Sequence, residues 1–394
     1  MHGTILVLNA GSSSVKFSLF ETRGPDALEL LARGQVEGIG TAPRFLARDG
    51  GGAPLVDRHW PADASFDHER AIDTVLRWLE ERRADAGLLA AGHRVVHGGP
   101  DFAAPVRIDR EVLARLEAFC PLAPLHQPHN LAGIRALGRL RPALPQVACF
   151  DTAFHRGRPP VADRFALPEE LFAAGVRRYG FHGLSYEYIL TAVAERDPAL
   201  ARGRLLVAHL GNGASLCAIR DGRAVDTTMS FTPLDGLVMG TRPGNLDPGV
   251  LLHLLSRGMD AAALEDLLYH RSGLLGVSGI SSDMRELLAR SGEPAAARAV
   301  ELFVYRAVRE AGGLVAVMGG LDGLVFTGGI GERAPAIRSR ICRGLAWLGL
   351  ALDEEANARG DPVISTPDSG VAVHVVATDE ERMIARHTRA LLEG

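Results

Sequence analysis

Apolar positions along this 394-residue chain repeat with two different periods. Ile5 to Leu8 is a continuous apolar run that stops at Asn9-Ala10-Gly11-Ser12-Ser13-Ser14, and Val15-Lys16-Phe17-Ser18-Leu19-Phe20 then alternates with period two. Strand, tight polar turn and strand predict a hairpin, whereas a P-loop needs a helix after its turn. Ile72, Val75, Leu76 and Leu79 fall at i, i+3, i+4 and i+7, which predicts one buried helical face between residues 69 and 83. Glu380 to Glu393 reads as a closing helix. Strands alternating with helices place the chain in the α/β class.

The opening pattern recurs in the second half. Leu206-Val207-Ala208-His209-Leu210 runs into Gly211-Asn212-Gly213-Ala214-Ser215, then Leu216-Cys217-Ala218-Ile219 and a turn at Arg220-Asp221-Gly222-Arg223. Two such hairpins predict two related domains facing one another across a cleft. The Pro142 to Pro145 break sets a boundary near residues 145–155. Residues 1–150 with a returning helix at 380–394 form the expected first domain, and residues 151–379 the second.

Composition narrows the classes. The length suits two cores, and 47% hydrophobic with 23% charged residues is ordinary for a globular chain. The net charge of −4 comes with no Lys/Arg run, so nothing supplies the basic face that nucleic acid needs. No stretch approaches 18 continuous apolar residues, and the start lacks the basic region of a signal peptide. Cys120, Cys149, Cys217 and Cys342 are scattered, as buried thiols of a cytoplasmic protein would be.

Three glycine-rich turns could carry chemistry. Asn9 to Ser14 with Lys16 offers backbone N–H groups, hydroxyls and a cation to an oxyanion, although a plain hairpin turn favours the same residues. His209 to Ser215 has the same double reading. Gly323-Leu324-Val325-Phe326-Thr327 leads into Gly328-Gly329-Ile330-Gly331-Glu332, and a helix carrying Pro335 is expected next, its N-terminus suited to a nucleotide. This last segment also fits G-x-G-x-x-A with Asp353 downstream, so NAD binding is a rival reading. Arg94 closes a strand before Gly98-Gly99, and Arg242 sits in a Gly/Pro loop. His93 and His97 have a zinc-like spacing, but Val95-Val96 argues for strand, not a metal-binding helix. Asp151, His182 and the acids after Thr378 stand beside glycines, aromatics or a helix start, where capping explains the acids equally well.

In chain order, L-N-A-G-S-S-S-V-K-F, G-H-R-V-V-H-G-G, A-P-L-H-Q-P-H-N, F-D-T-A-F-H, R-R-Y-G-F-H-G, H-L-G-N-G-A-S, M-G-T-R-P-G-N-L-D-P-G, F-T-G-G-I-G-E and T-D-E-E resemble the acetate kinase family. The resemblance implies an actin-like ATPase fold, with two duplicated ribonuclease-H-like domains around a central cleft. It implies Mg²⁺ (or Mn²⁺) as cofactor, ATP/ADP and acetate or another short-chain carboxylate as substrates, and a homodimer. Asn9 and Glu380 match the metal-site residues. Lys16, His209, Leu210, Gly211, Asn212, Gly213, Asp283, Met284, Arg285, Gly329, Ile330, Gly331, Glu332 and Arg333 match nucleotide-binding positions. Arg94 matches the acid-substrate arginine, Asp151 the catalytic carboxylate, and His182 and Arg242 the transition-state stabilisers. Val96, Leu125, Phe181 and Pro233 match the apolar pocket for the substrate methyl. Leu184, Tyr186, Arg333, Pro243, Asn245 and Asp379 depart from the family pattern, in which Thr, His, Asn, Ser, Asp and Asn respectively are usual.

The implied activity is reversible, Mg²⁺-dependent, in-line phosphoryl transfer between ATP and acetate, with propionate or another short acid as the alternative acceptor. Arg94 and Arg242, one from each half, are expected to converge on the transferred group. Asp151 is expected to orient the metal or an arginine instead of acting as a base, since the acid substrate is already ionised. A hydroxyl kinase of the same fold would need an aspartate base and a polar sugar site. A chaperone would need a peptide-binding domain for which no chain remains.

Overall fold

The computed structural model describes residues 2–24, 27–82 and 87–393 and divides into two units, Met1–Phe154 with Asp379–Gly394, and His155–Thr378. In the first unit the opening hairpin is present: β1 (Gly3–Ala10) and β2 (Ser14–Thr22) pair antiparallel, with Asn9 opposite Lys16. β3 (Leu28–Glu37), β4 (Arg44–Asp49) and β5 (Pro54–His59) extend that side. β6 (Leu88–Val95), β7 (Val106–Arg107) and β8 (Gln146–Phe150) complete an eight-stranded sheet ordered β5-β4-β3-β2-β1-β6-β8-β7.

The period-two pattern explains how this sheet is covered on both faces. Leu6, Leu8 and Ala10 of β1 and Ala91 of β6 share a buried cluster with Ile72, Val75 and Leu79 of the helix His68–Glu81. Neighbouring positions point the other way. A Cβ on Gly92 would lie 2.3 Å from Thr388 Oγ1 and 2.6 Å from Ile384 Cγ2, so only glycine lets the closing helix Glu380–Glu393 sit on β6.

In the second unit β9 (Arg204–Leu210), β10 (Ala214–Arg220) and β11 (Arg223–Thr227) are antiparallel, and β12 (Gly323–Thr327) runs parallel to β9 and to β13 (Ala372–Val375). The order β11-β10-β9-β12-β13 repeats β3-β2-β1-β6-β8 of the first sheet, strand sense included. The duplication is therefore of whole sheets, each in the strand order and sense of a ribonuclease-H-like domain, and the fold is actin-like.

The third glycine segment differs from the sequence expectation. The helix starts at Gly328 and ends at Arg333, and Pro335 opens a separate helix, Pro335–Gly344. Gly328 has φ of 76°, and a Cβ there would come 2.8 Å from the Leu210 carbonyl oxygen. That close approach turns the chain directly from β12 into the helix, without a preceding loop.

Candidate active site

In the first unit, β6 and β8 are parallel neighbours with Arg94 opposite Cys149; Phe150 closes β8 and Asp151 follows it. Arg94 Nε donates to Asp151 Oδ1 at 3.0 Å and Nη2 to Oδ2 at 2.6 Å, a two-pronged pair. Glu380 Oε2 lies 3.8 Å from Arg94 Nε, and the Asp151 side chain is only 3% exposed. Burial works against the Arg94 charge, but Asp151 and Glu380 outweigh it and raise its pKa. Burial pushes the Glu380 carboxyl up to about 7 although Arg94 draws it down, and Asp151 and Glu381 add to the upward push. Asp379 accepts from the Arg382 backbone N–H at 2.9 Å, capping the helix whose first residue is Glu380.

The segment after β6 is pinned by buried polar side chains. Val96 N–H donates to Asn130 Oδ1 (3.0 Å), Asn130 Nδ2 donates to the Ala10 carbonyl (2.7 Å), and Gln127 exchanges bonds with the backbone of His97. Gly98 N–H donates to Thr152 Oγ1 at 3.0 Å. Val96 is buried and Leu125 half-buried. His93 and His97 are both buried, and His97 Nδ1 accepts from Gly99 N–H at 2.8 Å. Gln127 and Asn130 lie inside a quoted motif but escape notice as site residues. Their signal is polar character at positions i and i+3, each four residues before a buried apolar residue (Leu131 and Ile134), on a helix that otherwise packs apolar.

In the second unit His182 is one of two non-glycine residues with positive φ (58°) among the described residues, and it stands at the N-terminus of the helix Gly183–Arg196. His182 Nδ1 bonds Ser215 Oγ at 2.8 Å, and its ring stacks on His209 with centroids 4.2 Å apart. Ser185 Oγ bonds both His209 Nδ1 (2.8 Å) and Thr378 Oγ1 (2.9 Å). His155 Nε2 meets the Phe181 carbonyl at 2.9 Å, and buried Arg158 donates to the carbonyls of His155, Arg178 and Tyr179, which together fix the backbone leading into His182. Arg242 Nη1 donates to the Pro233 carbonyl at 3.2 Å and touches Met239 Sδ at 3.7 Å. Burial lowers its pKa, partly countered by Tyr269, and no acid among the described residues forms an ion pair with it.

A cavity of about 400 Å³ gathers three distant segments: Gly211-Asn212, Ser282 to Arg285, and Gly329-Ile330 with Arg333-Ala334. Eight of the sequence-predicted nucleotide positions line it, and Ser282 and Ala334 join them. His209 instead faces His182, Leu210 is buried, and Gly213 lies under His182 and Arg242. Gly331 is buried within the helix Gly328–Arg333, and Glu332 accepts from Gly328 N–H (3.1 Å) and Thr378 N–H (3.3 Å), closing the turn. Lys16 is exposed on β2, in the first unit.

No group of three or more His, Cys, Asp or Glu among the described residues is placed to hold a metal. A half-buried amide at Asn9 and a carboxyl at Glu380 whose burial disfavours its charge still fit Mg²⁺, which keeps most of its waters and takes one or two carboxylates beside substrate phosphates.

Sheet order, a glycine-lined cavity and desolvated arginines define the class, an actin-like phosphotransferase. The Acetokinase family model matches residues 4–386, and the chain belongs to that family. It is 54% identical over 399 residues to the acetate kinase of Rhodopseudomonas palustris (strain ATCC BAA-98 / CGA009), covering 100% of both chains. It is 53% identical over 390 residues to the acetate kinase of Nitrobacter hamburgensis, covering 99% of this chain and 96% of that one. A propionate kinase structure from Francisella tularensis superposes with TM-score 0.91 at 38% identity, covering 98% of each chain. An acetate kinase structure from Porphyromonas gingivalis gives 0.89 at 40%, covering 99% of this chain and 100% of that one.

Proposed function

We propose that the protein is an acetate kinase that moves a phosphoryl group reversibly and in line between ATP and acetate, giving ADP and acetyl phosphate. Arg94 carries the assignment of a carboxylate acceptor. Asp151 and Glu380 engage its Nε edge, while Nη1 makes no bond to the described residues and is left for an anion. An acid with pKa of roughly 4 is ionised at neutral pH and needs no general base. Asp151 therefore positions Arg94. Val96, Leu125, Phe181 and Pro233 receive the methyl group.

The cavity residues Gly211, Asn212, Asp283, Met284, Arg285, Gly329, Ile330 and Arg333 take the nucleotide, with Lys16 adding charge. His209, Leu210, Gly213, Gly331 and Glu332 shape that loop and helix. Arg242 and His182 face the phosphoryl in flight, whose equatorial oxygens carry negative charge. Asn9 and Glu380 hold Mg²⁺, or Mn²⁺ in its place. When bound, the ion neutralises phosphate charge on the nucleotide. The working form is a cytoplasmic homodimer, consistent with Val250, Leu252 and Leu255 being exposed on the helix Pro248–Ser256. No helix among the described residues is long and apolar enough to cross a membrane.

Purified protein incubated with ATP, Mg²⁺, hydroxylamine and a series of short acids is expected to form acetohydroxamate fastest. No hydroxamate from any acid, or faster turnover of glycerol or a hexose, would overturn the assignment. The likeness to a propionate kinase favours propionate as the second acceptor. One methylene in an apolar pocket is worth about 1–3 kcal/mol, so the same series measures that preference.

A further inference from the structure

Arg242 is carried on a loop of the second unit whose two limbs are tied down unequally. Along the outgoing limb, Gly240 N–H donates to the Asn212 carbonyl at 3.0 Å. The carbonyls of Met239, Gly240 and Thr241 accept from the N–H groups of Leu274 (2.9 Å), Leu275 (3.0 Å) and Ser272 (3.0 Å). The return limb has far less. Pro243 has no N–H. Neither the Gly244 N–H nor the carbonyls of Pro243 and Gly244 has a hydrogen-bond partner among the described residues. The limb ends at Asn245, whose N–H donates to the Gly236 carbonyl at 2.9 Å and whose Nδ2 donates to Glu310 Oε1 at 2.9 Å. Glu310 belongs to the 25-residue helix Pro294–Met318. We propose that Asn245 and Glu310 are positioning residues: their bond latches the return limb to this helix and so sets where the Arg242 guanidinium points.

The guanidinium needs such help because its own contacts are weak guides. The Pro233 carbonyl at 3.2 Å and the Met239 thioether at 3.7 Å are both uncharged, so the backbone that carries Arg242 decides its aim. The residue type at 245 follows from Glu310. An ionised carboxylate only accepts, so its partner must bring a donor, and an amide brings two. Aspartate, the residue usual in the family at this position, would set a second acceptor and a second negative charge against Glu310. The departure at Asn245 is thus matched to its partner on the helix. Arg309 Nη1 lies 3.5 Å from Glu310 Oε1, but its side chain is 55% exposed and screened by water. The pair also borders a cavity of about 490 Å³ walled by Arg164, Arg178, Asp226 and Asp235, two cations and two acids that roughly cancel.

The inference rests on reading Arg242 as the cation that meets the transferred phosphoryl, and a double-mutant cycle tells the two apart. Asn245→Asp turns the donor into an acceptor. It is expected to lower kcat about tenfold or more, with KM for ATP within about twofold because the outgoing limb keeps its bonds. Adding Glu310→Gln returns a donor to the pair and is expected to restore kcat to within about threefold. In Asn245→Asp alone, kcat relative to wild type should rise as pH falls from about 8 to about 5.5, since one proton shared by two acids remakes the bond. In an Arg242→Ala background the same substitution should cost less than about twofold, because nothing is left to aim. Asn245→Ala, which deletes the donor without adding charge, carries the cycle should Asn245→Asp fold poorly. A kcat loss that repeats in full without Arg242, or no rescue by Glu310→Gln, overturns the latch while leaving the role of Arg242 intact. Near-normal turnover of Arg242→Ala itself overturns that role and the latch with it.

Discussion

Replacing Asp151 by Asn keeps the shape of the side chain but removes its charge and one of its two acceptor atoms. Nε of Arg94 can still donate to Oδ1, but Nη2 then faces an amide N–H₂, donor against donor. Asp151 is almost wholly buried and Arg94 is three-quarters covered, so water cannot restore what is lost. Removing one partner of a buried pair costs about 3–5 kcal/mol. Glu380, 3.8 Å away, still offsets part of the stranded charge, which puts the expected loss near the lower end, about 3 kcal/mol. For a unit of this size that is roughly 6–12 °C in Tm. Urea unfolding followed by tryptophan fluorescence reads mainly the first unit, because Trp60 and Trp78 lie there, whereas Trp347 of the second unit is 70% exposed when folded and changes its surroundings little. Kinetically, a loosened Arg94 is expected to raise KM for acetate at least tenfold and lower kcat, with KM for ATP little changed. A stability loss below about 0.5 kcal/mol would refute the idea that the pair is a constrained, desolvated unit. A pH–rate profile that loses one titrating group on kcat, with Mg²⁺ affinity intact, would refute the positioning role and make Asp151 a base.

Arg242→Ala is expected to lower kcat about 10³-fold or more, and Arg242→Lys to recover little, because an ammonium cannot reproduce the fork; near-normal turnover in either would contradict the role. Gly240→Ala would place a Cβ 1.9 Å from Asn212 Oδ1 and displace the nucleotide loop, raising KM for ATP about tenfold with KM for acetate unchanged. Burial lowers the pKa of His93 and His97 to about 4 and that of His155 to about 3. Their unfolded forms take up protons first as pH falls below about 6.5, so stability is full above that value and declines toward pH 4, by about 2 kcal/mol per histidine at pH 5. A urea midpoint that does not move between pH 7 and 5 would contradict this.

How far the sequence could be read depended on whether a feature was local. Hairpins, the helix at Ile72 to Leu79 and the closing helix are set by periodicity within a few residues; the closing helix appears with the expected ends, and the others with ends within two positions of those expected. The echoed hairpin pointed to duplication, but only strand order shows that five strands repeat, since β6, β8, β12 and β13 pair across long stretches of chain. The glycines of Gly328 to Gly331 read as a loop because glycine usually breaks helices. They form a helix because Gly328 alone takes the left-handed turn against Leu210 and Glu332 satisfies the freed N–H. Gln127, Asn130, His155 and Arg158 were illegible for a different reason. Their work is to hold backbone carbonyls and N–H groups whose location exists only after folding.

The two arginines are treated differently by their surroundings, and that difference argues for different tasks. Arg94 is flanked by Asp151 and Glu380, with Lys16 adding a second cation nearby, so its cluster is close to neutral before substrate arrives. Such a cluster can orient a monoanion without binding it so tightly that turnover suffers. Arg242 is desolvated and, among the described residues, its side chain meets the Pro233 carbonyl and the Met239 thioether and pairs with no acid, so its charge is left without a counter-charge there. A cation held at that cost gains most when negative charge develops beside it, which is the situation of a phosphoryl group in flight and not of a resting carboxylate. Adding an acid near Arg242, as in Met239→Glu, should therefore stabilise the second unit while lowering kcat. A variant that gained both stability and turnover would show that the missing counter-charge serves no catalytic purpose.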